Sequence, residues 1–290
     1  MVAAPCITFI GGGNMCEAIL AGLIKTGHPV SHVRVSEPGA ERREFLKSKY
    51  GVDTVEDNNA AITGEDDGDI VVSRGVTTDV VVLAVKPQVV AQVVRGVAAS
   101  LCEVKPLVVS IVAGVAIKDL ARWIGGPVPL VRLMPNTPAL VGEGAAGMYA
   151  DATVTETQRA HTEYIVTNIA KEFAWVPKEE DIDTVTAISG SGPAYFFLVI
   201  EAIEKAGAAL GLDADAAKRL AAQTALGAAK MVLTSEDDVA TLRRKVTSPN
   251  GTTQAAIEKM IELLVPEGVD AGVRAAKARC VSLSDEFCML

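Results

Sequence analysis

Aromatic side chains are scarce in this sequence, at 4% of residues where hydrophobic residues as a whole reach 49%. The interior must therefore be filled by Ala, Val and Leu rather than by rings. Positive charge is in deficit too: 27 Lys plus Arg stand against 36 Asp plus Glu, a net charge of −9. Such a chain repels phosphate backbones, which excludes nucleic acid as its main partner, although a local basic cluster can still hold one small anion. Histidine is limited to His28, His32 and His161, none with a metal-ligating partner at useful spacing, so no metal site is expected. The five cysteines, Cys6, Cys16, Cys102, Cys280 and Cys288, are odd in number and form no CxxC pair. They read as free thiols in a reducing compartment. No leader pattern of basic, apolar and cleavage regions opens the chain. No apolar run of about 18 residues suggests a membrane span. A soluble, cytoplasmic protein without a membrane partner is the expectation.

What is present is length and alternation. At 290 residues the chain is long for one domain. The first half reads as strands and helices in turn: strands at Cys6–Ile10, Val33–Ser36, Val80–Val85, Val108–Val112 and Val128–Leu133, helices at Asn14–Thr26 and Glu41–Lys49. Short apolar runs of this kind suit strands buried on both faces of a parallel sheet. The stretch Thr63–Thr78, with its acidic run Glu65–Asp67, reads as a solvated surface insertion with a short strand at Ile70–Ser73. Beyond about Pro177 the pattern turns helical, at Gly192–Leu210, Asp213–Thr234, Glu236–Val246, Thr252–Leu264 and Gly268–Phe287. Asp213 suits an N-cap and Pro193 a first helical turn. The alanine-rich run Ala214–Ala229 allows helices to approach closely, as a tight bundle or a dimer interface requires.

Three elements point to a dinucleotide. The first is Gly11-Gly12-Gly13-Asn14-Met15-Cys16, a Gly-x-Gly-x-x-small turn between a strand and a helix. Gly11 permits the tight turn, Gly13 lets backbone N–H groups reach a pyrophosphate, and the helix start adds a favourable dipole. Cys16 stands where Gly or Ala is usual. The second is Glu37 at the end of the second strand, placed to accept hydrogen bonds from a ribose diol and so to favour NADH. Ser36, Arg42 and Arg43 could instead cradle the 2′-phosphate of NADPH, or the arginines could line a solvated helix face. The third is Ala84-Val85-Lys86-Pro87, where a buried strand ends at the edge at which α/β sheets bind ligands. Lys86 there is either a phosphate or ribose ligand or an ordinary exposed lysine.

Together with Ala113-Gly114-Val115, Met134-Pro135-Asn136-Thr137-Pro138, Ser189–Tyr195 and Thr247–Thr253, these stretches resemble the pyrroline-5-carboxylate reductase family. They run in the family's order over nearly the whole chain, and the last two are specific. The resemblance implies an α/β Rossmann domain with a mainly parallel sheet, residues 1–178, followed by an all-α dimerisation and substrate domain, residues 179–290. It implies a homodimer, assembled further into a ring of dimers, with an active site formed between the cofactor of one subunit and helical residues of its partner. It implies NADPH or NADH as cofactor and a small cyclic imine as substrate. Carried over by residue, Gly11, Gly13, Asn14 and Met15 hold the pyrophosphate. Ser36, Asn58 and Ala113 approach the cofactor, Ala84, Lys86 and Pro87 border the nicotinamide side, and Asn136 supports that pocket. Ser248, Gly251, Thr252 and Thr253 bind substrate. Asn250 stands where the family has glycine, a place where Asn tolerates left-handed backbone.

The chemistry suits these residues. A protonated C=N is already electrophilic, so positioning matters more than acid–base machinery. The substrate carboxylate needs an anion site, and the N–H groups of Gly251, Thr252 and Thr253 at a helix start provide one. The Thr253 hydroxyl is then the group to orient the ring nitrogen. Glu236 is a weaker candidate acting through water; its plainer reading is a helix-start acid. Ser189 and Ser191 lack a histidine partner and read as a turn into a helix. Tyr195, beside Phe196, Phe197 and Leu198, reads as core. Two rivals remain. A 3-hydroxyacid dehydrogenase would need a lysine acid/base, for which only Lys205 or Lys230 offers itself, and a non-catalytic nicotinamide-binding protein would need none.

Overall fold

The computed structural model describes residues 4–64 and 77–288. The strand expected at Ile70–Ser73 lies outside the described residues. Two compact units emerge, Met1–Ser191 with Ala276–Leu290, and Gly192–Ala275.

The first unit is built on eight strands, β1 Ile7–Ile10, β2 Val33–Ser36, β3 Asp53–Val55, β4 Val80–Leu83, β5 Leu107–Ser110, β6 Leu130–Met134, β7 Gly144–Ala150 and β8 Ala170–Trp175. They form one sheet in the order β3-β2-β1-β4-β5-β6-β7-β8. Pairing is parallel throughout except between β6 and β7. Helices α1 Asn14–Lys25, α2 Ala40–Tyr50, α3 Asn58–Thr63, α4 Pro87–Gly96, α5 Ala98–Val104, α6 Ile117–Ile124, α7 Glu156–Thr167 and α8 Asp181–Val185 belong to the same unit.

The apolar runs are strands because both faces of the sheet are covered. Val80, Val82, Leu107 and Val109 enter one core cluster with Ile7, Phe9, Ile19 and Leu20 from β1 and α1. Val81, Leu83 and Val108 point the other way and pack with Val90, Val94 and Leu101 of α4 and α5. Alternation along an extended chain sends successive side chains to opposite layers, so a strand covered on both faces reads as a continuous apolar run.

Several expectations need correction. Strands β3, β7 and β8 went unseen. The sequence of β7, GAAGMYA, is poor in the β-branched residues that mark strands. Thr78 is no part of a solvated loop: it is buried, with its hydroxyl on the Ile62 carbonyl at 3.0 Å and beside Thr8 Oγ1 at 3.0 Å. The segment 179–191 packs with the first unit. Arg132 of β6 pairs with Glu179 at 3.1 Å and Asp183 at 3.4 Å, and the Ile117 N–H donates to Glu179 at 2.7 Å. The end of the chain returns there as well, with Phe287 in the core and the Cys280 thiol 3.4 Å from Asp183.

The second unit holds α9 Gly192–Ala209, α10 Ala214–Thr234, α11 Val239–Lys245, α12 Thr252–Glu262 and the first part of α13 Val265–Cys288. Asp213 caps α10 through the Ala216 N–H at 2.9 Å, as expected. Helix α11 starts later than expected, because Asp238 takes the Thr241 N–H at 2.6 Å and fixes the start. Glu236 thus precedes the helix rather than sitting in its first turn. Helix α13 starts earlier than Gly268, since Pro266 fits its first turn. The core reading of the aromatic run fails: Phe196, Phe197 and Leu198 are 69%, 64% and 67% exposed. Apolar periodicity alone cannot distinguish a helix's own core from a face left for another chain. The helical stretch Asp181–Ala209 is also long and apolar enough to cross a membrane by composition, where none was expected.

Candidate active site

In the first unit every expected dinucleotide contact falls at the carboxyl edge of the parallel strands, flanking the β1–β4 pair where the strand order reverses. This is where open α/β sheets take ligands. The turn after β1 is set by close approach. Gly11 has φ +102°, and a Cβ there would lie 2.7 Å from the Ala84 carbonyl oxygen. Its N–H donates to Ser36 O at 2.8 Å, while Ala84 N–H donates to Ile10 O at 2.9 Å. The turn is thus stitched to β2 and β4 together.

Gly13 caps α1 without any side-chain oxygen on the helix's first amides, and nothing lies within 4 Å of where its Cβ would be. Open space above an uncapped, positively polarised helix start fits a pyrophosphate. Asn14 is exposed and Met15 half-buried against the core behind it. Cys16 is fully buried, and burial pushes its thiol far above the usual range. It fills the close helix–sheet contact as a small apolar group.

Glu37 closes the turn from the β2 side. Its Oε2 accepts the Gly12 N–H at 2.9 Å and its Oε1 the Gly39 N–H at 3.0 Å. Neither nearby arginine is a loose cation. Arg42 donates to Gly12 O at 2.6 Å and to Glu17 at 2.7 Å. Arg43 donates to the carbonyls of Glu37 at 2.7 Å and Pro38 at 2.8 Å, and to Glu56 at 3.0 Å. Burial pushes the Glu17 carboxyl up, but hydrogen bonds from Lys49, Arg42 and Tyr50 outweigh it and bring it to about 2.

The remaining expected residues divide by role. Ser36 is buried, its hydroxyl 2.6 Å from Asn58 Oδ1, so these two are brought together as partners of each other. Lys86 is the exposed N-cap of α4 and Pro87 its first residue. Ala113 is half-buried after β5, just before the left-handed Gly114. Asn136 is a clamp: its Nδ2 donates to Ser189 O at 3.0 Å and its Oδ1 accepts the Ala145 N–H at 3.0 Å. Ser189 is four residues before Pro193, which has no N–H to offer that carbonyl. Sequence reasoning missed this clamp and missed the part of Gly12, although a polar residue in an otherwise apolar strand end and the middle glycine of three were visible signals.

In the second unit, Ser248, Gly251, Thr252 and Thr253 form one turn at the start of α12. Asn250 has φ +58°, the left-handed geometry that its side chain tolerates. A Cβ on Gly251 would lie 2.5 Å from Ser248 Oγ and 3.1 Å from its carbonyl oxygen, so the turn is closely packed there. The Gly251 N–H donates to Ser248 O at 3.1 Å, which corrects the expectation that this N–H serves a ligand. No side chain caps α12. Thr253 is half-buried, and Glu236 is exposed before α11.

A doubly wound parallel sheet with this glycine turn at its switch point defines a dinucleotide-dependent oxidoreductase. Residues 179–283 match the family model for pyrroline-5-carboxylate reductase dimerisation, and residues 6–114 match the one for NADP oxidoreductase, coenzyme F420-dependent. The chain is 42% identical to pyrroline-5-carboxylate reductase of Pseudomonas aeruginosa over 99% of both chains. It is 42% identical to that of Pasteurella multocida over 98% of both. Among solved structures, a pyrroline-5-carboxylate reductase from Coxiella burnetii superposes with a TM-score of 0.86 at 39% identity, covering 97% of this chain and 99% of that one. The Plasmodium falciparum reductase, solved with NADP bound, gives 0.83 at 27% identity, covering 98% and 99%. The chain belongs to the pyrroline-5-carboxylate reductase family.

Proposed function

We propose that this chain reduces the cyclic imine pyrroline-5-carboxylate to L-proline, the last step of proline biosynthesis, using NADPH or NADH. The observation that carries the reading is the turn before α12. It presents an uncapped helix start and the half-buried Thr253, with the Gly251 N–H on the Ser248 carbonyl at 3.1 Å closing the loop. That is a binding place for a small carboxylate without an arginine.

The reduced nicotinamide, when bound, supplies the hydride. The chain's own residues position and hold. The α1 amides behind Gly11 and Gly13 take the pyrophosphate, with Asn14 and Met15 at the same turn. Ala84, Lys86, Pro87 and Ala113 border the nicotinamide side, and Asn136 keeps the β6 edge in place. The N–H groups of Thr252 and Thr253 take the carboxylate, and the Thr253 hydroxyl orients the ring nitrogen. Orientation of this kind supplies about 7–11 kcal/mol of barrier lowering in favourable cases. Glu236, exposed before α11, contributes at most through water.

The exposed apolar faces of α9 and α10 support a homodimer through the helical domain, and we extend this to a ring of dimers in the cytoplasm. The domain division at 178/179 remains part of this reading, with 179–191 serving as the connecting segment.

A hydroxyacid dehydrogenase would need a lysine ready to exchange a proton. Lys205 is exposed and bonded to Glu201, which holds its pKa above the ordinary value. This disfavours Lys205 in that role.

The test is nicotinamide oxidation with pyrroline-5-carboxylate, for the natural chain and for Thr253→Ala. We expect turnover, and a loss in kcat/KM of about tenfold to a hundredfold in the variant, the equivalent of one strong hydrogen bond. Unchanged efficiency removes Thr253 from its role. Turnover of hydroxyacids instead of the imine selects the dehydrogenase, and tight cofactor binding without any turnover selects a non-catalytic binder.

A further inference from the structure

We propose that Glu37 makes this chain select NADH over NADPH, by occupying the end of β2 with a carboxylate that the fold itself locks in place. The inference rests on the dinucleotide reading of the β1 turn, and it deepens that reading by naming which cofactor the turn accepts.

Two hydrogen bonds fix Glu37. Its two oxygens bridge the N–H groups of Gly12 and Gly39, at 2.9 Å and 3.0 Å, across the mouth of the turn. Its own N–H is held by Val55 O at 3.0 Å, so the backbone at the strand end is anchored as well. A carboxylate offers about four lone-pair sites, and the two N–H groups use two of them. The others remain for hydroxyl donors. A ribose diol has two such donors. A phosphate on the 2′ position has none when fully ionised, and it brings negative charge against negative charge.

The cations that could offset this repulsion are committed elsewhere. Arg42 is the nearest to the turn, but its guanidinium is shared between Gly12 O and Glu17. Glu17 is a strong competitor, since Lys49 and Tyr50 also hold it ionised. Arg43 is spread over two carbonyls and Glu56. Ser36, the remaining group that could have met a phosphate, turns its hydroxyl inward to Asn58 and the Glu56 carbonyl. Accepting a 2′-phosphate would require Glu37 to give up its two N–H partners and at least one arginine to abandon a carboxylate. Accepting a diol requires neither.

The test is direct binding of NADH and NADPH to the natural chain, followed by nicotinamide fluorescence without substrate, with Glu37→Gln and Glu37→Ser in parallel. NADH should bind at least about tenfold more tightly than NADPH, which is the discrimination expected of one like-charge contact. Both variants should shift the ratio toward NADPH by about tenfold or more. Equal or tighter NADPH binding by the natural chain overturns the inference without needing any variant to fold. A ratio unchanged in both variants overturns it as well. Because no substrate is present, the outcome is separate from the imine reading: NADH preference without imine turnover would leave this inference standing and remove that function.

Discussion

Gly11 and Ala84 approach so closely that one added methyl group has no place to go. The Gly11 Cβ would fall 2.7 Å from the Ala84 carbonyl oxygen and 2.9 Å from its carbonyl carbon, at a backbone φ of +102°. Neither atom can yield, because Ala84 is itself bonded to Ile10 O. Gly11→Ala should therefore lose about 1–3 kcal/mol from overpacking, with a further penalty for the backbone geometry. The same shift displaces the turn from α1, so dinucleotide binding should weaken by about tenfold or more. Thermal melts and fluorescence titration measure the two effects, and a variant with natural melting temperature and affinity would show that the contact is not needed.

Asn136 joins Ala145, nine residues on, to Ser189, 53 residues on, so its removal should show in stability. Asn136→Ala leaves the Ser189 carbonyl and the Ala145 N–H without their partner. A buried polar group deprived of its bond costs about 1–3 kcal/mol. Asn136→Asp keeps the acceptor for Ala145 but sets a carboxylate oxygen against the Ser189 carbonyl, and should be no more stable than the Ala variant. Urea unfolding midpoints order the three proteins. An Ala variant as stable as the natural chain would mean that water replaces the clamp.

His28 should give the fold a pH-dependent weakness on the acid side. Burial first, and then the nearby His32, hold its pKa below the ordinary 6.5. Nδ1 faces the Tyr164 hydroxyl at 2.9 Å, while Nε2 is buried with no hydrogen-bond partner among the described residues. Protonation would thus place a charge in a half-buried site beside His32, which a hydrogen bond to the His32 backbone only partly offsets. As pH falls below 6.5 the unfolded chain takes up the proton before the folded one, and stability drops until the depressed folded pKa is reached. The effect is absent well above 6.5. The natural chain should melt at lower temperature at about pH 5.5 than at about pH 7.5, with a steeper decline than His28→Phe. Parallel declines in the two proteins would assign the acid sensitivity to other groups.

What the sequence made legible follows from the range of the interaction. Val80–Leu83 reads as a strand because burial on both faces leaves four consecutive apolar residues, a purely local signature. The glycine turn and the Thr252 helix start are local as well, and both lie where their motifs put them. Glu37 and Gly12 are 25 residues apart, and Asn136 and Ser189 are 53 apart. The dinucleotide pattern places an acid at the end of β2 but does not say which amide it takes, and no spacing rule connects Asn136 with Ser189, so both hydrogen bonds emerge only in three dimensions. The strand β7 escaped notice for another reason. Its Gly and Ala residues carry no β preference, and its place in the sheet is set by neighbours on both sides.

The misread run Phe196–Leu198 leads to the last prediction. In the second unit α9 and α10 expose a nearly continuous apolar groove of about 950 Å³, lined by Phe196, Val199, Ile203, Leu220, Val232 and Leu233. Monomeric proteins rarely leave so much contiguous apolar surface in water. Each such side chain gains about 1.5–3 kcal/mol when fully covered, so a second copy laid on this face is the favourable outcome. Ile203 is 48% exposed, and Ile203→Glu would place a carboxylate in the middle of the seam with no cation lining it. Burying that charge unpaired is prohibitive, whereas leaving it in water is harmless to the isolated helix. Light scattering should therefore give a mass near the 30.2 kDa of one chain for the variant and at least twice that for the natural protein. Circular dichroism should show the helices retained. An undiminished mass would mean that the groove is covered by something other than a second copy.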